Sequence, residues 1–362
     1  KLQSQETAHQ VSGDLRIDTN FQTTRAQFFN QGIESSNDPV SLPEVRTYWR
    51  DNALLIATEH VEIAEFSRLL GEVAPSSAFT SALTELEPQG RVAQMRALWR
   101  LKQKVLQAHV ILDDLGVKAS EVRAGAQGVS GDLWIQRNKA WLQLNSPQLD
   151  LDLPTVYAEP LRINSAQADV YAYWNADVLH LRTDNIQGVA AVGHTHGKLA
   201  LKLPLKKGDI APEMELYLGV SQGDTAARNT VIPSTISESL QSWLDTAIAD
   251  TRASDLGFVY RGSLLKEERE ARSLGLIGRI DTARLKFLPD WPELGIDSAV
   301  FNMDDEQTGI WLEQGGLPGI KAKSVGAEVW LDADRQPHLT IDGFIEGQLA
   351  RVLDDLRDSP LA

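Results

Sequence analysis

Gly197–Val220 reads GKLALKLPLKKGDIAPEMELYLGV, and its alternation decides the fold class. Leu199, Leu201, Leu203 and Leu205 alternate with Lys198, Lys202 and Lys206. After Lys206-Lys207-Gly208-Asp209, Met214, Leu216, Leu218 and Val220 alternate with Glu213, Glu215 and Tyr217. Strand side chains point alternately to the two faces of a sheet, so each half of this stretch has one apolar and one charged side. Strands buried on both faces read as unbroken apolar runs, so this is antiparallel structure with one wetted face.

The same pattern extends outward. Leu149, Leu151 and Leu153 alternate with Gln148, Asp150 and Asp152. Arg137-Asn138-Lys139 separates Leu133–Gln136 from Trp141–Leu144, and QGGLPG at Gln314–Gly319 separates Ile310–Leu312 from Ala327–Leu331. Weaker strands read at Gly13–Ile17, Val170–Trp174, Val178–Arg182, Leu256–Arg261, Leu274–Ile280, Arg284–Leu288, Ser298–Met303 and Leu339–Ile345. No repeating strand–helix unit of about 30 residues occurs, which argues against a doubly wound α/β fold.

Helical spacing is rare. Phe66, Leu69, Leu70 and Val73 predict a helix over Glu65–Val73, and Leu349, Val352, Leu353 and Leu356 predict one over Gln348–Leu356. Each is followed by proline, Pro75 or Pro360, and each follows a strand-like stretch, as one unit used twice. A third helix is expected over Ile236–Ala249, with Ser234 or Thr235 as N-cap, and a shorter one over Ala78–Leu86. VSGDL recurs at Val11–Leu15 and Val129–Leu133, both read as opening a strand.

At 362 residues the chain holds one large domain or two to three ordinary ones. It is 42% apolar and 23% charged, which fits a folded globular chain, and no apolar run approaches the ~18 residues of a membrane helix. A net charge of −15 and a pI near 4.9 argue against nucleic acid and anionic membrane surfaces as general partners. The absence of cysteine excludes disulfides, thiolate metal sites and a cysteine nucleophile. The opening Lys1-Leu2-Gln3 reads as the start of a piece cut from a longer protein.

Catalytic patterns are missing. His194-Thr195-His196 puts two histidines on one strand face, but a metal needs three or four convergent ligands. Asp113-Asp114, Asp304-Asp305-Glu306 and Asp354-Asp355 read as solvated turns and helix faces rather than paired catalytic carboxylates. Gly257, Gly262, Gly275 and Gly278 lack the strand–loop–helix context of phosphate binding, and neither Gly-x-Ser-x-Gly nor His-Glu-x-x-His is present. No enzyme activity, metal or cofactor is expected. Trp134, Trp141, Trp174, Trp311 and Trp330 lie in or beside strands; core packing and a stacking platform for sugars both account for them.

Several stretches in order carry a family resemblance: HVEIAEFSRLLGEVAP within Ala57–Pro75, LTELEPQGRV at Leu83–Val92, and Gly128–Ile163. Further on come IPSTISESLQSWLDTAI at Ile232–Ile248, FVYRGSL at Phe258–Leu264, LKFLPDWPEL at Leu285–Leu294 and Leu339–Leu361. From about Ser41 onward, over some three quarters of the chain, this order resembles YhdP-type proteins. These are AsmA-like members of the bridge-like lipid-transfer proteins of Gram-negative bacteria. The tract Trp243–Leu294 is the most specific.

The resemblance implies a mainly β fold: a long curved antiparallel sheet forming an open hydrophobic groove, with a few short amphipathic helices. It further implies a periplasmic section of a conduit carrying phospholipid between inner and outer membranes, in a full-length protein anchored in the inner membrane. Two sections are expected, 1–122 with a helical insert near 62–87, and 123–362 with helices near 236–249 and 348–358. The helices would act as partial lids or cap sheet edges.

The groove lining would be Leu142, Leu144, Leu149, Leu151, Leu153, Leu179, Leu181, Leu199, Leu201 and Leu203, continued by Met214, Leu216, Leu218, Phe258, Tyr260, Leu285, Phe287, Val329 and Leu331. A closed β-sandwich or solenoid that binds glycan or scaffolds the envelope predicts the same alternation, with two leucine faces covering each other.

Overall fold

The computed structural model describes residues 10–20, 23–34, 39–73, 86–103, 105–120, 124–154, 157, 159–206, 210–221, 248–265, 267–286, 293–304, 307–332 and 336–350. Its first strands are β1 Gln10–Thr19, β2 Thr23–Glu34, β3 Pro39–Leu42, β4 Val45–Arg50 and β5 Ala53–Glu62, followed by helix α1 Ile63–Val73. Then come β6 Gln89–Arg100, β7 Val105–Val117, β8 Gly125–Gln136, β9 Lys139–Ser146, β10 Leu149–Asp152 and β11 Leu161–Trp174. The remainder are β12 Val178–Ala190, β13 Gly193–Pro204, β14 Glu213–Ser221, β15 Ile248–Ser263 and β16 Arg272–Leu285, then β17 Leu294–Asp304, β18 Gln307–Leu317, β19 Ile320–Leu331 and β20 Pro337–Gly347.

The chain divides into two compact units, Lys1–Asp152 with Ser165–Asn175 and Leu153–Asn164 with Ala176–Ala362. The section boundary expected at 122/123 lies between β7 and β8, which pair from Gln107↔Gln136 to Val117↔Ala126 inside the first unit. In that unit β1 pairs with β2, and the far edge of β2 is shared by β3 at Gln31–Glu34 and by β4 at Thr23–Phe28. The ladder runs on through β4, β5, β6, β7 and β8. The far edge of β8 is shared by β9 and β10, and β9 carries β11 along Ala166–Tyr173. The second unit is a plain antiparallel meander from β12 to β20.

Within each unit the described strands pack extensively only against ladder neighbours; α1 adds contacts to β5 and β6, and a 3-10 turn at Arg269–Ala271 touches β15. Among the described residues, then, no second sheet lies across either unit, in contrast to the closed-sandwich expectation. One face is nevertheless sheltered. Val61, Val92, Val110 and Leu112 form a buried cluster on it in the first unit, and Ala283, Ile296, Ala299, Leu312 and Ala322 do so in the second, where Ala299 is fully buried. A single layer reaches such burial only by bending toward that face.

Bulges supply the bend. Register shifts in β7, β15 and β19 contain Asp114, Asp255 and Ser324, with φ of 57°, 51° and 52°. A bulge inserts an unpaired residue, bends its strand and raises the local twist.

Local structure departs from expectation in three places. The break expected over Gln314–Gly319 contracts to Pro318-Gly319, because Gly315 and Gly316 stay in β18 paired with Ala322 and Lys321. A β-carbon on Gly315 would lie 2.3 Å from the Gly295 carbonyl oxygen, so these glycines serve a close strand approach rather than a loop. Val129–Leu133 sits inside β8 instead of opening it. The first helix starts at Ile63, two residues before Glu65. The helices expected over Ala78–Leu86, Ile236–Ala249 and Gln348–Leu356 fall mostly outside the described residues; Ile248 and Ala249 open β15, and Leu349 and Ala350 are helical.

Candidate functional site

Residues directly opposite one another in an antiparallel ladder share a face, so the register assembles the alternating leucines into rungs. In the second unit one rung crosses all nine strands: Ile186, Gly197, Leu218, Phe258, Leu276, Met303, Thr308, Val329 and Leu339. The next runs Thr183, Leu199, Leu216, Tyr260 and Leu274. Leu181 faces Leu201, which faces Met214, and Leu179 faces Leu203. These leucines are half-buried, except Leu339 on β20, which is exposed.

The first unit repeats the arrangement. Leu142 lies in the rung Thr58, Met95, Val110, Leu133, Leu142, Val170, and Leu144 in the rung Val61, Val92, Leu112, Gly131, Leu144, Ala168. Gly131 has φ +148°, and a β-carbon there would lie 2.1 Å from the Gln143 carbonyl oxygen, so this rung needs glycine. Leu149 is buried and Leu151 half-buried beside β8, where Leu151 faces Ala126. Leu153 is half-buried just past β10.

Of the remaining expected residues, Leu285 faces Leu294 beside the Ala299 cluster. Leu331 pairs with Pro337, and Phe287 lies outside the described residues. Sequence reasoning missed Val61, Val92, Met95, Val110 and Leu112 in the first unit. It also did not assign Leu276, Phe301, Met303, Ile310 and Leu312 to this face. Neighbours such as Ile111 and the bulges within Val105–Val117 and Ile248–Ser263 break their period-two signal.

The opposite face carries the charged partners, with Tyr217, Val259, Ile277 and Trp311 exposed among them. Lys202 pairs with Glu213 at 2.8 Å, Arg261 with Glu215 at 3.3 Å and Arg279 with Glu313 at 2.7 Å. In the first unit it bears an aromatic ladder: His109 stacks on Trp134 at 4.9 Å, Trp134 on Trp141 at 4.5 Å, and Trp141 on Tyr171 at 6.1 Å. The His109 ring is held by Asp132, Nε2 to Oδ1 2.8 Å. Trp330 stacks likewise on His338 at 4.6 Å.

These tryptophans are therefore not core. Nor are Trp134 and Trp141 an open sugar platform, since a sugar needs a free ring face and each covers the other's. They clamp strands together on the wet side.

The other candidate chemistry is local. His194 and His196 are exposed on the polar face, the His196 ring lying over Gly219. No group of three or more His, Asp or Glu that could hold a metal occurs among the described residues. Asp304 accepts the Gln307 amide at 2.8 Å in a turn, and Asp113 pairs with Arg91, whose guanidinium it holds above its ordinary pKa. Burial pushes the Tyr157 phenol up. No described helix is long and apolar enough to cross a membrane.

The chain, whose two units each carry an apolar sheet face, is matched over residues 2–362 by the family model described as YhdP protein. The chain belongs to the YhdP family. YhdP proteins are AsmA-like lipid-transport proteins of the bacterial envelope, a family not known for enzymes. No curated protein and no solved structure matches the chain.

Proposed function

We propose that the apolar face binds phospholipid acyl chains and that the chain is a section of a conduit through which phospholipid crosses the periplasm between inner and outer membranes. The observation that carries this reading is the nine-strand rung from Ile186 to Leu339 with its flanking leucines. It is half-exposed along most of its length and no second layer of the described chain covers it. Contiguous apolar surface of this extent is rare on a protein that leaves it empty.

Acyl chains relieve the exposure at about 0.8 kcal/mol per buried methylene, so a sixteen-carbon tail contributes on the order of 12 kcal/mol gross. A 13-residue strand such as β7 spans about 43 Å at ~3.3 Å per residue, enough to bend around such tails. Successive rungs are chemically alike, so a lipid passing from one to the next meets no deep trap. Anchoring of the full-length protein in the inner membrane belongs to the same proposal.

The test is native mass spectrometry and lipid extraction of protein purified from a Gram-negative host. Stoichiometric phospholipid is expected; protein that carries none, and takes none up from vesicles, removes the reading.

A further inference from the structure

The two margins of the first unit, where its strands end, differ in charge. At one margin lie the ends of β4, β6 and β8 and the turns that follow. Exposed Arg50, Arg100, Lys102, Arg137 and Lys139 gather there against Asp18 and Asp51. At the opposite margin, where β5 passes into α1 and β7 ends, Glu62, Glu65, Glu87, Asp113, Asp114 and Asp150 outnumber Arg68, Arg91 and Lys118. In a chain of net charge −15 the basic margin is the exception.

Just inside the basic margin, on the apolar face, one rung reads Thr24, Trp49, Leu54, Trp99 and Leu106. Trp49 is 42% exposed, and Trp99 and Leu106 are each 45% exposed. The next rung inward is aliphatic: Ile56, Ala97, Ala108 and Ile135. Passing inward, the order is cations, half-exposed indoles, then hydrocarbon. The same order of groups is met on entering a bilayer from its phosphates, because indole combines a wide apolar ring with one N–H that prefers a polar partner.

We infer that the basic, tryptophan-edged margin of the first unit holds the phosphate of a glycerophospholipid whose acyl chains lie on the adjoining apolar face. This rests on the lipid-binding reading above. The acidic margin repels a phosphate, so the lipid has one orientation along the strands. The indoles and aliphatic rungs engage tails that a free phosphate lacks, which makes the occupant a lipid. A head group of net negative charge gains from these cations, whereas the ammonium of ethanolamine is repelled by them, so the margin selects phosphatidylglycerol over phosphatidylethanolamine.

The test incubates the purified 362-residue chain with vesicles of equal parts phosphatidylglycerol and phosphatidylethanolamine, re-isolates it, and quantifies bound lipid by mass spectrometry. Phosphatidylglycerol is expected to be enriched about three- to fivefold, the scale of a few surface charge contacts. The combined variant Lys102→Glu, Arg137→Glu, Lys139→Glu should return the ratio to that of the vesicles, with the far-UV spectrum retained. The neutral variant with Gln at the same three positions should do the same, and Glu62→Lys with Glu87→Lys should not.

Enrichment should also vanish in 1 M NaCl, where the Debye length is about 3 Å. Lipid bound without enrichment, or enrichment that survives loss of the three cations, overturns this inference alone. A wild-type chain that takes up no lipid overturns both readings.

Discussion

Leu201 faces Met214 and Leu216 faces Tyr260, each half-buried with nothing of the described chain above it. A charge placed there remains partly hydrated, so Leu201→Asp or Leu216→Asp should lower the amount of bound lipid while the β-sheet circular dichroism stays unchanged. A variant that unfolds instead would make that position core. Leu312 supplies the contrast: it is buried against Ala299 and Ala322, and Leu312→Ala should lower stability in urea by about 2–4 kcal/mol through the cavity it leaves. A photocrosslinking residue at Leu151, on the apolar face, should capture lipid, and one at Asp152, on the other, should not. These faces were legible from period two alone. Trp134 and Trp141 were not, because which ring covers which depends on partners up to 30 residues away, His109 and Tyr171. Trp141→Ala should cost about 1–2 kcal/mol of stability with lipid loading unaltered, since it breaks a cross-strand stack on the wet side.

At the scale of elements, bulges and paired glycines decide how the strands bend. Gly131 lies in β8 with φ +148° against the Gln143 carbonyl, so Gly131→Val should lower the urea midpoint through a loss of about 2–3 kcal/mol of stability. A midpoint unchanged by this substitution would show that the rung Val61–Leu144 does not depend on the close approach. The strands at Leu149–Leu153 and Leu199–Val220 were readable because apolar and charged residues alternate cleanly there. Gln314–Gly319 misled because Gly-Gly and Pro-Gly both signal turns. Only the pairing of Gly315 with Ala322, beside the Gly295 carbonyl, distinguishes a close strand contact from a loop.

For the whole molecule, the apolar faces tie lipid loading to stability. A ligand that binds only the folded chain raises the melting temperature with its concentration. Lipid-loaded protein should therefore melt above the same protein stripped of lipid, in differential scanning calorimetry at matched protein concentration. Equal melting temperatures would mean that lipid, where present, is not held by the folded faces.

The sequence by itself determined that this chain is antiparallel β, that each strand has one leucine side and one charged side, and that it carries no catalytic motif. Those properties reside in residue order, because a strand alternates its side chains whatever it pairs with. Tertiary structure decided which leucines meet in a rung, that no second layer of the described chain closes over them, and that cations and tryptophans converge on one margin. Each of these depends on register and bulges, which join residues tens of positions apart and leave no local period to read.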